Sequence, residues 1–105
     1  MLSSRLGDVS DQLPVSDESE NDVTVRYWGS ARSAAGLETE RVAARTVAGV
    51  IDEIVRRRPR DRRFLDVIET CGVLVGEIPV GGREPSDVAV QAGDVVEFLP
   101  PFAGG

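Results

Sequence analysis

Val47, Val50, Ile51, Ile54 and Val55 recur at i, i+3, i+4, i+7 and i+8, drawing one apolar stripe along one helix, and that stripe limits what the chain can become. Thr46 stands at the N-cap position. Pro59 ends the helix after Arg56, Arg57 and Arg58 have placed positive charge at its negative end. A helix that is apolar on one side has to lie on a single apolar layer, and the flanking segments supply it. Val23-Thr24-Val25-Arg26-Tyr27-Trp28 alternates with period 2, which sends Val23, Val25 and Tyr27 to a core face and Thr24, Arg26 and Trp28 to the other. Val95-Val96-Glu97-Phe98-Leu99 alternates in the same way, with Val96 and Phe98 turned to the helix. The order strand, strand, helix, short elements, strand predicts an α+β domain with one main helix packed on one face of a mixed sheet.

The remaining punctuation fits this plan. Gly29 to Gly36 is a small Ala-rich stretch that reads as one helical turn closed by Gly36, and Glu38–Ala43 reads as a strand forming an antiparallel hairpin with the first. Gly49 weakens the main helix but permits close approach to the sheet. Asp61–Thr70 reads as a shorter helix with Phe64, Leu65 and Ile68 inward and Gly72 as its stop. Val73-Leu74-Val75 and Ile78-Pro79-Val80 flank Gly76-Glu77, a tight-turn pattern. Gly81-Gly82-Arg83-Glu84-Pro85 reads as a surface loop, and Val88 to Asp94 leads into a turn before the last strand.

Composition narrows the chemistry. The chain has 105 residues, the size of one domain with an adequate core, and 41% of them are hydrophobic. It has no His, and all 12 of its basic residues are Arg. That excludes a lysine Schiff base, a histidine general base and a histidine metal ligand together. The single Cys71 cannot form an intramolecular disulfide, which suits a reducing compartment. Six carboxylates (Asp8, Asp11, Asp17, Glu18, Glu20, Asp22) against Arg5 put −5 of the net charge of −6 into residues 1–22. That segment also carries Ser3, Ser4, Ser10, Ser16 and Ser19 without apolar periodicity, the composition of a disordered acidic arm preceding a domain at 23–105. Neither a signal peptide nor a membrane-spanning run is expected, so the cytoplasm is the default compartment. The near-neutral remainder gives no reason to expect a nucleic-acid partner.

The sequence closes on Leu99-Pro100-Pro101-Phe102-Ala103-Gly104-Gly105. A terminal diglycine carries a carboxylate with no side chain beside it, so a narrow channel in another protein can admit it. If the first and last strands pair as neighbours, Trp28 and Leu99 share a solvent face that continues into Phe102, an apolar patch at the root of a tail spanning 100–105. A register shifted by one would instead bury Trp28.

Val25-Arg26-Tyr27-Trp28-Gly29-Ser30-Ala31-Arg32, the Thr-capped helix, and Ala92-Gly93-Asp94 through Leu99-Pro100-Pro101-Phe102-Ala103-Gly104-Gly105 together resemble the ubiquitin-like sulfur carriers of the MoaD/ThiS type, within them most nearly the small subunit of molybdopterin synthase. The resemblance spans about residues 23–105 and implies a β-grasp fold. It implies that an adenylating partner of the ubiquitin-activating type uses ATP and magnesium to activate the carboxylate of Gly105. Sulfur, delivered indirectly by a sulfurtransferase, then replaces the adenylate as a thiocarboxylate. It further implies that the large synthase subunit takes up the tail, and that a cyclic pterin monophosphate receives two sulfurs as a dithiolene in molybdenum cofactor biosynthesis. Gly105 and Gly104 are then the reacting end, with Trp28, Leu99, Pro100, Pro101, Phe102 and Ala103 binding the partner. The chain itself would bind no metal or cofactor, and it would not be catalytic alone. Pro100 to Gly105 would reach roughly 20 Å at about 3.3 Å per residue, and Pro100-Pro101 stiffens the base of that reach.

The carboxylate is a poor acyl donor, and the chain has no Walker loop, so the ATP site belongs elsewhere. Cys71 reads as a structural thiol rather than a persulfide carrier, Arg56 to Arg63 as a solvated basic helix end, and Arg32 as structural or interfacial. Gly81-Gly82 has no phosphate-loop context. The turn Val75-Gly76-Glu77 lacks the Asn common in relatives, the loop 81–87 is longer, and the acidic arm has no counterpart. A carrier serving cysteine, thiamine or tRNA thiolation shares the same tail chemistry, as does a ubiquitin-like protein modifier, although without Lys the chain cannot build lysine-linked chains on itself.

Overall fold

The computed structural model describes residues 22–101; the acidic arm up to Asn21 and the tail residues Phe102, Ala103, Gly104 and Gly105 lie outside the described residues. Five strands and three helices make up the body: β1 (Asp22–Tyr27), α1 (Gly29–Ala35), β2 (Thr39–Ala43), α2 (Val47–Arg56), α3 (Arg62–Thr70), β3 (Gly72–Val75), β4 (Ile78–Pro79) and β5 (Val95–Leu99), with a 3-10 turn at Pro85–Asp87. The sheet order is β2-β1-β5-β3-β4. β1 runs parallel to β5, with Thr24 opposite Val95 and Tyr27 opposite Phe98. All other neighbours are antiparallel, so the sheet is mixed as its alternation implied.

Period 2 sorts the faces. Val23, Val25 and Tyr27 of β1, Val42 of β2, and Val96 and Phe98 of β5 are buried with Ala31, Val47, Val50, Ile54, Phe64 and Ile68 from the helices. The Tyr27 ring packs edge-on to Phe64 at 5.9 Å between centroids and tilted against Phe98 at 6.0 Å. Thr46 Oγ1 accepts from the Gly49 N–H at 3.0 Å and caps α2, and Asp61 Oδ1 caps α3 through the Phe64 N–H at 2.9 Å.

Several local expectations change. The main helix α2 is joined on the inner face by the expected shorter helix α3 and by α1. α1 is a seven-residue helix rather than a single turn, and Gly36 closes it at φ +84°, with its N–H on the Arg32 carbonyl. Gly72 does not stop α3; Cys71 leaves it in an extended conformation and Gly72 is already paired with Leu99. Leu65 is only half-buried, because Phe64 and Ile68 at i and i+4 hold the inward face and Leu65 lies about 100° around the helix. Gly49 faces the preceding loop rather than the sheet, since a Cβ there would sit 3.4 Å from Ala44 Cβ and from Thr46 Oγ1.

The arginines after α2 are not uniformly solvated. Arg58 Nη2 lies 2.7 Å from Glu40 Oε2 and Arg57 Nη1 3.2 Å from Glu40 Oε1. Arg58 also donates to the Ile54 carbonyl, and its guanidinium stands 4.5 Å from the centre of the Phe64 ring. Glu40 sits on the inner face opposite Val25, where a carboxylate must be paired, and that need draws the arginines in. Among the described residues no helix is long and apolar enough to cross a membrane.

Thr46→Ala removes the α2 cap and is expected to lower unfolding free energy by about 1 kcal/mol, whereas Ile54→Ala, which opens a core void, should cost about 2–5 kcal/mol. Urea midpoints at constant slope measure both.

Candidate functional site

The inner face of the sheet is covered by helices, and the outer face carries the candidate residues. With Tyr27 and Phe98 paired and buried, Trp28 and Leu99 follow them onto the outer side at the end where the chain leaves the sheet. The shifted register is therefore excluded. Trp28 is 43% exposed, and its backbone N–H donates to the Phe98 carbonyl at 3.1 Å, which locks the two strand ends together. Its indole Nε1 donates to Glu97 Oε2 at 3.2 Å. Arg26 brings its guanidinium to 5.7 Å from the centre of the Trp28 ring.

The patch is wider and more polar than its sequence pattern indicated. Leu74 pairs with Glu97 across β3 and β5, and Pro79 pairs with Leu74 across β3 and β4. A shallow apolar dip of about 270 Å³ is lined by Gly72, Val73, Leu74, Pro79, Gly81 and Leu99. Ile78, 65% exposed, pairs with Val75 opposite the buried Val96 and so lies on the other face of the sheet edge, outside this surface. Leu74 and Pro79 were not singled out from sequence, because their place depends on β3 being the antiparallel neighbour of β5. Alternation through Val73-Leu74-Val75 was the available signal once that pairing was assumed.

The tail root is braced by a residue to which the sequence pattern assigned no contact role. Gly29 opens α1 at φ +51°, and a Cβ on it would lie 3.4 Å from Pro100 Cγ. Pro100 therefore packs against the first residue of α1 and leaves half-buried, while Pro101 is exposed. Both prolines lie where the sequence placed the base of the tail.

Other candidates separate from this face. Arg32 stands 3.9 Å from Glu38, both exposed, so the pair has little energetic weight. Cys71 is half-buried beside α3, and burial pushes its thiol up to about 11 from an ordinary 9.0. A thiol that stays protonated is a weak nucleophile, which disfavours a persulfide role. Among the described residues no three His, Cys, Asp or Glu side chains are grouped to hold a metal ion.

The model of the ThiS family matches residues 25–105, which includes the second half of β1, the helices, β5 and the sequence of the whole tail. The chain belongs to the ThiS family. No curated protein sequence matches it. Among solved structures, small archaeal modifier protein 1 from Methanosarcina acetivorans superposes with a TM-score of 0.67 at 18% identity, covering 82% of this chain and 98% of that one. A Pyrococcus furiosus protein assigned as subunit 1 of molybdopterin converting factor gives 0.60 at 25% identity over 77% and 98%. The Amycolatopsis orientalis BexX/CysO complex gives 0.63 at 23% over 79% and 99%. The fold is the β-grasp of the ubiquitin-like sulfur carriers and modifiers, and ThiS-family membership and the mixed sheet agree on it.

Two outcomes are expected here. Gly29→Val combines a strained positive φ with a side chain pressed on Pro100, and should cost about 1–3 kcal/mol, read as a lower urea midpoint together with altered backbone shifts at Leu99 and Pro101. For Cys71, iodoacetamide should react slowly at pH 8 and accelerate toward pH 11 in the folded chain, while the unfolded chain already reacts fast at pH 9. Because the folded thiol is raised, the unfolded state loses its proton first. Stability contributed by this group is intact below pH 9 and lost as pH rises toward 11.

Proposed function

We propose that the chain is a sulfur carrier whose working group is the carboxylate of Gly105, and that it serves as the small subunit of a molybdopterin synthase. The observation that carries the reading is the exit geometry. β5 delivers Leu99 and Pro100 at the edge of an apolar outer face, with Pro100 braced on Gly29, so a partner docked on that face receives the tail end-on. Pro100 and Pro101 fix two backbone φ angles and lower the entropy lost when the tail is threaded.

In the proposed sequence a partner enzyme spends ATP with magnesium to make the Gly105 acyl adenylate. A carboxylate oxygen attacks the α-phosphorus and pyrophosphate leaves. A sulfide-level sulfur then attacks the acyl carbon, AMP departs, and a thiocarboxylate remains. Inside a second partner, the large synthase subunit, that sulfur attacks a carbon of the pterin precursor and displaces an oxygen substituent, and water then cleaves the acyl–sulfur bond, returning the Gly105 carboxylate and leaving the sulfur on the pterin. This chain's own residues do three things: Trp28, Leu74 and Leu99 hold the partner, Pro100 and Pro101 aim the tail, and Gly104 and Gly105 keep its tip narrow.

A second reading has its own support. The superposable structures include a CysO held with BexX and a small archaeal modifier protein, so the same face and tail suit a carrier for another sulfur acceptor or a protein modifier.

Incubation with the activating enzyme, ATP and a sulfur source is expected to shift the intact mass by one oxygen-for-sulfur exchange, and a residue appended after Gly105 should abolish it. Exchange persisting in the extended variant would remove Gly105 as the site. Loaded carrier mixed with the large synthase subunit and pterin precursor should give the dithiolene; binding without product would favour the other acceptors. Gly105→Ala should keep the fold and slow transfer at least tenfold, because the added methyl group meets a narrow channel. Transfer at the native rate would argue against that channel.

A further inference from the structure

Two charges stand within the apolar outer face, and the structure leaves them unmatched. Arg26 lies near the C-terminal end of β1, with Thr39 and Glu97 as its neighbours across the sheet. Its Nε is fully shielded from solvent and has no hydrogen-bond acceptor among the described residues. The facing carboxylate does not meet it: Glu97 accepts the Trp28 indole N–H instead, and among the described residues no ion pair joins Arg26 to Glu97. Trp28 thus divides the two charges, with the guanidinium against its ring and the carboxylate on its nitrogen.

A guanidinium and a carboxylate on adjacent strands would ordinarily pair, because opposite charges directly across strands attract. Both groups here are held by the indole, and both would be stripped of water by any apolar surface laid over Trp28, Leu74 and Leu99. Removing water from an unpaired charge is costly, so a partner without matching groups is rejected. We propose that Arg26 and Glu97, arranged by Trp28, are the specificity-determining charges of this face. They select a protein partner whose apolar contact surface carries a carboxylate opposite Arg26 and a cationic side chain opposite Glu97. Such charges discriminate between partners more than they add affinity, since the gain from pairing largely offsets the loss of hydration.

The inference rests on the docking reading above, and the test separates the two. Steady-state adenylation of Gly105 by the activating enzyme of the same source organism is followed while the concentration of the carrier is varied. Arg26→Met keeps the stem over the ring and removes the charge; it should raise KM for the carrier about tenfold or more, leave kcat within twofold, and flatten the dependence of KM on salt. Glu97→Gln keeps an acceptor for the Trp28 nitrogen and removes only charge, and it should also raise KM. Exchange of the pair, Arg26→Glu with Glu97→Arg, should be worse than either single change. Unchanged KM and salt dependence in folded Arg26→Met and Glu97→Gln would overturn the charge selection, while Trp28→Ala and Leu99→Ala would still raise KM. If those two apolar variants also leave KM unchanged, the docking face itself is wrong. Should Arg26→Met fail to fold, Glu97→Gln and its salt dependence decide the same question.

Discussion

Parallel pairing of β1 with β5 governs the rest of the molecule. Parallel strands cannot be joined by a tight turn, so everything between Tyr27 and Val95 has to cross back over the sheet before β5 can be laid down beside β1. The crossing segments supply α1, α2 and α3, and all three contribute buried residues to one continuous core on the inner face. Among the described residues no helix is then left for the other side. A bare outer face and a last strand in the middle of the sheet follow from the same pairing, and together they bring Leu99 out beside Trp28.

The position of that exit depends in turn on how the helices are tied down. Arg58 follows α2, donates to the Ile54 and Ala35 carbonyls, pairs with Glu40 on β2, and lies over the Phe64 ring of α3. One guanidinium therefore joins three helices and the sheet edge. The Tyr27 hydroxyl donates to the same Glu40, and burial with that carboxylate beside it holds the phenol well above its ordinary range. Breaking one partner in such a half-buried group leaves another charge without compensation, which costs more than an exposed pair would. With α1 held at its C-terminal end by Arg58, its first residue Gly29 is held against Pro100. The charged cluster on the inner side is thereby linked through α1 to the seat of Pro100.

What could be read from the residues alone tracks how local the signal was. The α2 stripe with its Thr46 cap, the faces of β1 and β5, and the Gly76-Glu77 turn are carried by neighbours a few positions apart, and each is present as the pattern implied. The Trp28 and Leu99 face was legible because period 2 leaves only two registers and Tyr27 with Phe98 makes the better core pair. Long-range matches were not legible. Nothing near Arg57 or Arg58 announces that Glu40, 17 or 18 positions earlier, turns inward and pairs with them. Gly29 gives no hint of Pro100, since a tight approach across 71 positions leaves no mark in either neighbourhood. Leu74 and Pro79 reach the outer face through the antiparallel pairing of β3 with β5, and a four-residue strand carries too little alternation to declare it.

A chain that presents an activated acyl group at its own end also has to avoid reacting with itself. Within these 105 residues every basic side chain is a guanidinium, which stays protonated and is a poor nucleophile at neutral pH. Lysine amines and histidine imidazoles, the groups that would attack an acyl adenylate, do not occur in the sequence. The one thiol is held by burial at about 11, so only a small fraction is thiolate near neutrality. Under the sulfur-carrier reading this inertness is as much a property of the working molecule as the tail. The guanidiniums still do what lysines would do structurally, closing the Glu40 and Glu53 pairs, and the bidentate fork of Arg57 serves both carboxylates at once. Arginine thus supplies the fold's positive charge without supplying a competing nucleophile, which under the proposed reading would leave an acyl group at Gly105 to sulfur and to the partner enclosing it.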